Sequence, residues 1–183
     1  INTNGDLICS AGTVTLAGSG ARVLTIDGGT VQFNNLTINQ TGGTRTWTNN
    51  TALLTLLNTL DNAGAGNFTV TPAWTITGSN SIVLRNSGSG ATTYTSDLTI
   101  NKSAPAASVT TEVTAGSMTV TGNFTNTGSG TFGTTSGTLS VNGNLSQTSA
   151  SVFSGTGGTF RFVGAFASTI TNSSTGGITF FNF

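Results

Sequence analysis

Acid–base and ionic chemistry in this 183-residue chain rests on ten charged side chains, five acidic and five basic, with no histidine. The acids are Asp6, Asp27, Asp61, Asp97 and Glu112. Two carboxylates facing one another would suit glycosidic-bond cleavage, the chemistry of a polysaccharide-degrading enzyme. Asp6 and Asp27 lie 21 positions apart. However, Asp6 precedes its apolar–polar alternation and Asp27 follows its own, so the two are not equivalent; both read as turn aspartates holding local backbone N–H groups. Without histidine, and with Cys9 alone, neither a Ser-His nor a Cys-His nucleophile can be assembled from this segment. A single cysteine also allows no internal disulfide or metal cluster, and Cys9 reads as a small buried apolar residue. The expectation is a chain that is not an enzyme, with no catalytic or metal-binding residue and no cofactor.

Binding chemistry is better represented. Thr69/Thr71, Thr75/Thr77 and Thr119/Thr121 are Thr-x-Thr pairs whose side chains share one face, outward, because Phe68/Val70 and Trp74/Ile76 take the other. Such faces on solenoids resemble those of ice-binding proteins. The copies downstream read Ser140/Asn142 and Arg161/Val163, so the array breaks there and reads as a β-favouring polar surface. Asn35, Asn39, Asn49, Asn67, Asn101, Asn123, Asn144 and Asn172 each open an N-x-S/T glycosylation sequon, in a composition where several arise by chance. Trp47, Trp74 and Tyr94 would serve as sugar-stacking platforms if exposed, and the sequence places them in core or coil-edge packing. Arg22, Arg45, Arg85, Lys102 and Arg161 are scattered singly, which gives no basic surface for nucleic acid.

What must position these groups follows from composition. Only 5% of residues are charged, against about 25% in ordinary domains. Gly, Thr, Ser and Asn take the place of Lys and Glu. Hydrophobic residues still make up 35% and fall in regular short clusters, which argues against disorder. No apolar run approaches the ~20 residues of a membrane-spanning helix; the densest stretch, 53–60, is short and broken by Thr55 and Asn58.

Repetition is the dominant signal. SMTVTGNFTNTGSGTFGTTSG from Ser117, TLSVNGNLSQTSASVFSGTGG from Thr138 and TFRFVGAFASTITNSSTGG from Thr159 align Met118/Leu139/Phe160, Val120/Val141/Phe162, Phe124/Leu145/Phe166 and Gly122/Gly143/Gly164. Phe132 and Phe153 make a further pair that the third copy lacks. Each unit alternates apolar and polar residues, the period of a strand, and units such as Leu36-Thr37-Ile38 and Leu98-Thr99-Ile100 recur upstream. A sandwich has no reason to repeat residue identities at fixed spacing, whereas a solenoid stacks equivalent positions at about 4.8 Å. The sequence therefore predicts an all-β chain: a parallel β-solenoid (right-handed β-helix) with ~21-residue coils, with a β-sandwich or jelly roll as the alternative. Residues 1–183 form a single segment, less regular in 1–95 and regular in 117–179. About nine coils would give a rod of roughly 40 Å. Low charge follows, because like charges stacked on successive coils repel while Asn and Thr can bond along the axis.

A solenoid leaves an unpaired edge at each end, and natural proteins cover such edges with polar caps or charges. Here both ends are apolar and in mid-pattern: ITFFNF, one further residue and then IN would read ITFFNF-x-IN, which resembles the internal VQFNNLTIN. The rod is expected to continue past both ends, and Ile1, Leu7, Ile178, Phe180, Phe181 and Phe183 are the candidate self-association residues.

Units such as NLTIN, SMTVTGNFTNTG and TLSVNGNLSQ resemble repeats of large secreted bacterial surface proteins, the repeat-rich adhesins and filamentous-haemagglutinin-like fibre proteins. The resemblance implies cell-surface or extracellular display and fibre formation, and transfers no binding residue. The expected role is structural: a segment of a filament or adhesin stalk acting by homotypic end-to-end stacking. Its partner would be itself, as homopolymer or tandem array, with glycans or host surfaces as further contacts, and neither nucleic acid nor a membrane span. The alternatives are a carbohydrate- or ice-binding solenoid module and a fragment of a polysaccharide-degrading β-helix.

Overall fold

A computed structural model describes residues 5–26, 29–49, 54–165 and 167–183, with the side chains of Ile26 and Asn49 left aside. The chain runs β1 (Leu7–Gly18), β2 (Arg22–Ile26), then β3 (Val31–Gln40), β4 (Thr44–Asn49), then β5 (Leu54–Asn62), β6 (Asn67–Val70), β7 (Trp74–Gly78). The next coils are β8 (Ile82–Asn86), β9 (Ala91–Tyr94), β10 (Leu98–Lys102) and β11 (Ser108–Val113), β12 (Ser117–Val120), β13 (Phe124–Gly128). Then follow β14 (Thr131–Ser136), β15 (Thr138–Val141), β16 (Leu145–Gln147), the coil β17 (Val152–Ser154), β18 (Thr159–Phe162), β19 (Ile170–Asn172), and β20 (Ile178–Thr179). Each element pairs with its counterpart one coil away, giving three sheets: A with eight strands from β1 to β20, B with seven from β2 to β18, and C with five from β7 to β19.

Every ladder among the described residues is parallel. This is a β-solenoid, and the sandwich alternative falls away. Among the described residues no helix is present, so none is long and apolar enough to cross a membrane.

Two details of the expected repeat are corrected. A 21-residue coil holds only where Met118 meets Leu139, Leu139 meets Phe160, Phe124 meets Leu145 and Thr131 meets Val152. Elsewhere the offset runs from 22, Thr13 to Asn35, up to 27, Ile82 to Val109. Sheet A's eight strands make seven steps, so the stack is nearer 34 Å than 40 Å at about 4.8 Å per step. The corners absorb the difference, since a strand must keep register to bury its apolar face. Residues 103–107 form one such insertion between sheets C and A, closed by Ala107 N–H on the Ala104 carbonyl at 3.0 Å. Likewise Leu145 pairs with Ile170, 25 residues on, and not with Phe166, which lies outside the described residues. The column that ended at Phe153 in the sequence alignment continues to Ile178.

Corners have no ladder to satisfy their backbone, and buried polar groups there must be paired. Buried amides do this work. Asn86 Nδ2 donates to the carbonyls of Gly90 at 2.9 Å and Ala115 at 2.7 Å, and its Oδ1 accepts the Thr92 hydroxyl at 2.8 Å. At the opposite corner Asn126 Nδ2 reaches the Val152 carbonyl at 2.8 Å, and Gln147 Nε2 reaches Ser151 and Gly177 at 2.8 and 3.0 Å. A glycine column lines the A–B corner: Gly43, Gly66, Gly90, Gly116, Gly137 and Gly158 each immediately precede a sheet-B strand, in register. A Cβ on Gly90, Gly116 or Gly158 would meet the carbonyl oxygen of the glycine one coil below.

The core is one continuous cluster. Trp47 and Trp74 meet edge to face at 5.1 Å, and Trp74 stacks with Tyr94 at 6.1 Å. Further along, Phe124, Phe132, Phe153 and Phe160 form a chain of ring contacts at 4.5–5.2 Å. Tyr94 is 1% exposed, and its hydroxyl has no hydrogen-bond partner. Burial raises its phenol pKa above the ordinary value. The unfolded chain therefore releases this proton first, so the associated stability is intact below about pH 10 and is lost as pH rises beyond it. Lys102 works in the opposite sense, since burial lowers its ammonium pKa. Tyr94 is the single tyrosine, so its phenolate absorbance is unambiguous. It should appear only together with loss of the sheet signal, and Tyr94→Phe should delay alkaline unfolding. A reversible phenolate signal near pH 10 on an intact fold would contradict this burial.

Candidate functional surfaces

The solenoid offers two ends and three outer faces. At one end β20 adds to sheet A, with Ile178 opposite Phe153. Three residues after Thr179, which pairs with Ser154, Asn182 bridges Thr159 of sheet B, and its carbonyl accepts the Phe160 N–H at 3.1 Å. The preceding coil takes five residues, from Ser154 to Thr159, over the same crossing. This shortened crossing lays Phe180 over the core, 5.0 Å from Phe153 and 5.6 Å from Phe160. Phe183 sits 4.8 Å from Phe180 and 5.8 Å from Phe162 while remaining 69% exposed, and Phe181 is 60% exposed. The four C-terminal candidates thus gather at one end, with Phe180 packed inward. At the other end Leu7 and Cys9 pack half-buried against the core, and Ile8 is exposed. Ile1 lies outside the described residues.

Charge follows a pattern the sequence did not reveal. Asp61, Arg85 and Glu112 stack on consecutive coils of sheet A with alternating sign. Arg85 closes on Glu112 at 2.7 Å, and Asp61 accepts the Ser87 hydroxyl at 2.8 Å. Opposite charges stacked in this way attract where like charges would repel. Arg22 and Arg45 are the converse, stacked neighbours of like charge. Burial, and then the charge of Arg22, lower the Arg45 pKa.

The other acids hold backbone. Asp6 Oδ1 accepts the Thr30 N–H at 2.7 Å, one coil on. Asp97, Asn123 and Asn144 form a ladder, each Oδ1 accepting the N–H of Asn123, Asn144 and Thr169 in turn at 2.7, 3.0 and 2.9 Å. The local-turn reading of aspartate thus becomes an inter-coil one. Asp27 lies outside the described residues, and these contain no group of three or more metal-ligating side chains.

Of the sequon asparagines, Asn39, Asn67, Asn101, Asn123, Asn144 and Asn172 are exposed and Asn35 is half-buried. The side chain of Asn49 is outside the described set. Asn67 holds the Ala91 N–H at 2.9 Å, and Asn35 donates to the Gly12 carbonyl at 3.1 Å. Trp47, Trp74 and Tyr94 are all buried, so none is a surface platform.

The sequence reading missed the extent of the threonine array. Thr46, Thr69, Thr93 and Thr119 stack in register on sheet B, headed by Val23 and followed by Ser140 and Arg161. Thr48, Thr71, Thr95 and Thr121 form a parallel column beside them. Thr75 and Thr77 belong to a different face, sheet C, alongside Thr99 and Asn101. Thr46/Thr48 and Thr93/Thr95 were legible as the same Thr-x-Thr spacing. Coils of 23, 24 and 26 residues hid their alignment from a 21-residue template.

Comparison with known proteins finds no matching family model, no matching curated protein and no matching solved structure.

Proposed function

We propose that the chain is a structural element of an extracellular or cell-surface fibre, a shaft lengthened by homotypic stacking of parallel coils onto its two ends. The observation that carries this reading is the continuity of the ladders to the last described strands, sheets A and B at the β1–β2 end and all three sheets at the other, sheet C beginning at β7. β1 and β2 at one end, and β19 and β20 at the other, each have a neighbour on one side only, while β18 meets on its outer side only the bridge from Asn182. Unpaired parallel edges are templates for further strands, and Phe181, Phe183 and Ile8 set exposed apolar surface beside them. The layer that fits is another coil of like sequence. Only such a layer extends the apolar columns inside and the amide and threonine columns at the corners and faces. A head-to-tail contact of this kind does not close on itself and yields an open filament.

Sedimentation of the 183-residue chain across a concentration series tests the reading. Concentration-dependent growth into extended species is expected. Phe181→Lys/Phe183→Lys, which places two charges on one end, should hold the chain at the monomer while leaving its sheet signal unchanged. A wild-type chain that stays monomeric throughout, or a double variant that assembles as readily as wild type, would contradict the proposal.

A further inference from the structure

We propose that the outer face of sheet B, carried by β4, β6, β9 and β12, binds ice. The face presents Thr46, Thr69, Thr93 and Thr119 in one column on the strands. Beside it, two residues further along the chain, stand Thr48 near the end of β4 and Thr71, Thr95 and Thr121 one residue past β6, β9 and β12. The N–H groups of these last three donate to the carbonyls of Trp47, Val70 and Tyr94 of the coil before. Threonine therefore recurs about every 4.8 Å across the coils of the strand column, with a second threonine of the same coil two residues on. The strand column is regular because this sheet has no register shift, whereas sheet A shifts in three of its pairings.

The grid is also rigid. Beneath it Trp47, Val70, Tyr94 and Val120 are buried and stacked in register. The second column is fastened coil to coil: the hydroxyls of Thr71, Thr95 and Thr121 donate to the carbonyls of Trp47, Val70 and Tyr94 at 2.8, 3.3 and 3.0 Å. A branched side chain pinned in this way keeps one rotamer, so its methyl group points the same way on each coil. The first column stands half-exposed. Neither column holds a charged side chain between Thr46 and Thr121.

The repetition argues for the ligand. A small solute needs one site, and its recognition gives no reason for four equivalent ones in register. A surface that repeats in two dimensions matches a ligand that repeats in two dimensions, which is a crystal face. Hydroxyls spaced between methyl groups can anchor ordered water while the methyls interrupt bulk hydration. A crystalline polysaccharide fits less well, because sugar rings stack on exposed aromatic faces, and those of Trp47, Trp74 and Tyr94 are buried. Sheet C is a poorer lattice: its columns mix Thr99 and Thr125 with Ser146, and Asn101 interrupts Thr77 and Thr127. A groove of about 450 Å³ also lies along that sheet, lined in part by Thr125, Ser146 and Thr171. This face is lateral and separate from the two ends at which coils would stack.

Slow growth of ice through a dilute solution of the chain is the test, read as the fraction of protein taken into the ice and as the gap between melting and freezing temperatures. Wild type should be taken up and should open that gap. Thr93→Lys, at the centre of the grid and outward-facing, should lose both, with its sheet signal and buried Tyr94 unchanged. Thr99→Lys on sheet C should keep both. Exclusion of the wild-type chain from ice would overturn the proposal, as would undiminished uptake of Thr93→Lys. Retention on insoluble cellulose or chitin without uptake into ice would also overturn it, and would assign the face to polysaccharide.

Discussion

Phe153→Ala should destabilise the C-terminal coils by about 3–5 kcal/mol, the range for emptying a buried phenylalanine site. Phe153 is fully buried on a strand only three residues long. Its ring lies 5.2 Å from Phe132 on the coil before, 5.2 Å from Phe160 on its own coil and 5.0 Å from Phe180 on the coil after. One truncation therefore weakens two coil–coil interfaces together. Backbone ladders on both sides resist collapse into the void, so the cavity cost should be retained. Because a solenoid's stability sums over neighbouring repeats, the loss should be local. Hydrogen exchange should rise in β14, β17 and β20 and stay near wild type in β3 and β5. A loss under about 1.5 kcal/mol, the scale of a tolerated repacking, would show that the ring does not bridge coils.

Gly137→Val should cost about 3 kcal/mol or more, from two separable causes. Gly137 has φ +65°, where a side chain costs roughly 1–2 kcal/mol. Its Cβ would also fall on the Val113 carbonyl oxygen of the coil beneath, and forcing atoms into a packed contact costs a further ~1–3 kcal/mol. Gly12 separates the two, since its φ is +73° but a Cβ there meets nothing within 4 Å. Gly12→Val should show only the conformational part. Equal losses at the two sites, measured by denaturant unfolding, would mean that close stacking of the glycine corner contributes nothing.

These two residues also mark what the sequence disclosed. Phe132/Phe153 and Met118/Leu139/Phe160 were legible because equal coil length turns vertical stacking into a fixed spacing, which a linear sequence records directly. The class of fold follows from that alone. The glycine column at the A–B corner runs from Gly43 to Gly158, before every sheet-B strand but β2, yet it was not legible. Corners of unequal length scatter Gly43, Gly66, Gly90, Gly116 and Gly137 at intervals of 23, 24, 26 and 21. The same unevenness misplaced Phe166 against Leu145 and concealed half of the threonine grid. Lys102 is a different case. Alternation from Leu98 places it inward, and it is fully buried with Nζ on the Thr77 carbonyl at 2.7 Å. Lysine is almost never buried without a partner, so residue type alone argued for the surface. The Asp61–Arg85–Glu112 column shows the limit of reasoning from charge: stacked like charges repel, as at Arg22 and Arg45, but alternating ones are accommodated once three coils come into register.

The functional account depends on coils adding along the rod axis. Diffraction from aligned assemblies of the 183-residue chain tests this directly. A reflection near 4.8 Å should lie parallel to the long axis of the assemblies, because the strand spacing of each solenoid then continues from one unit into the next. The same reflection perpendicular to the long axis would mean that the rods associate side by side, and would contradict stacking at the ends.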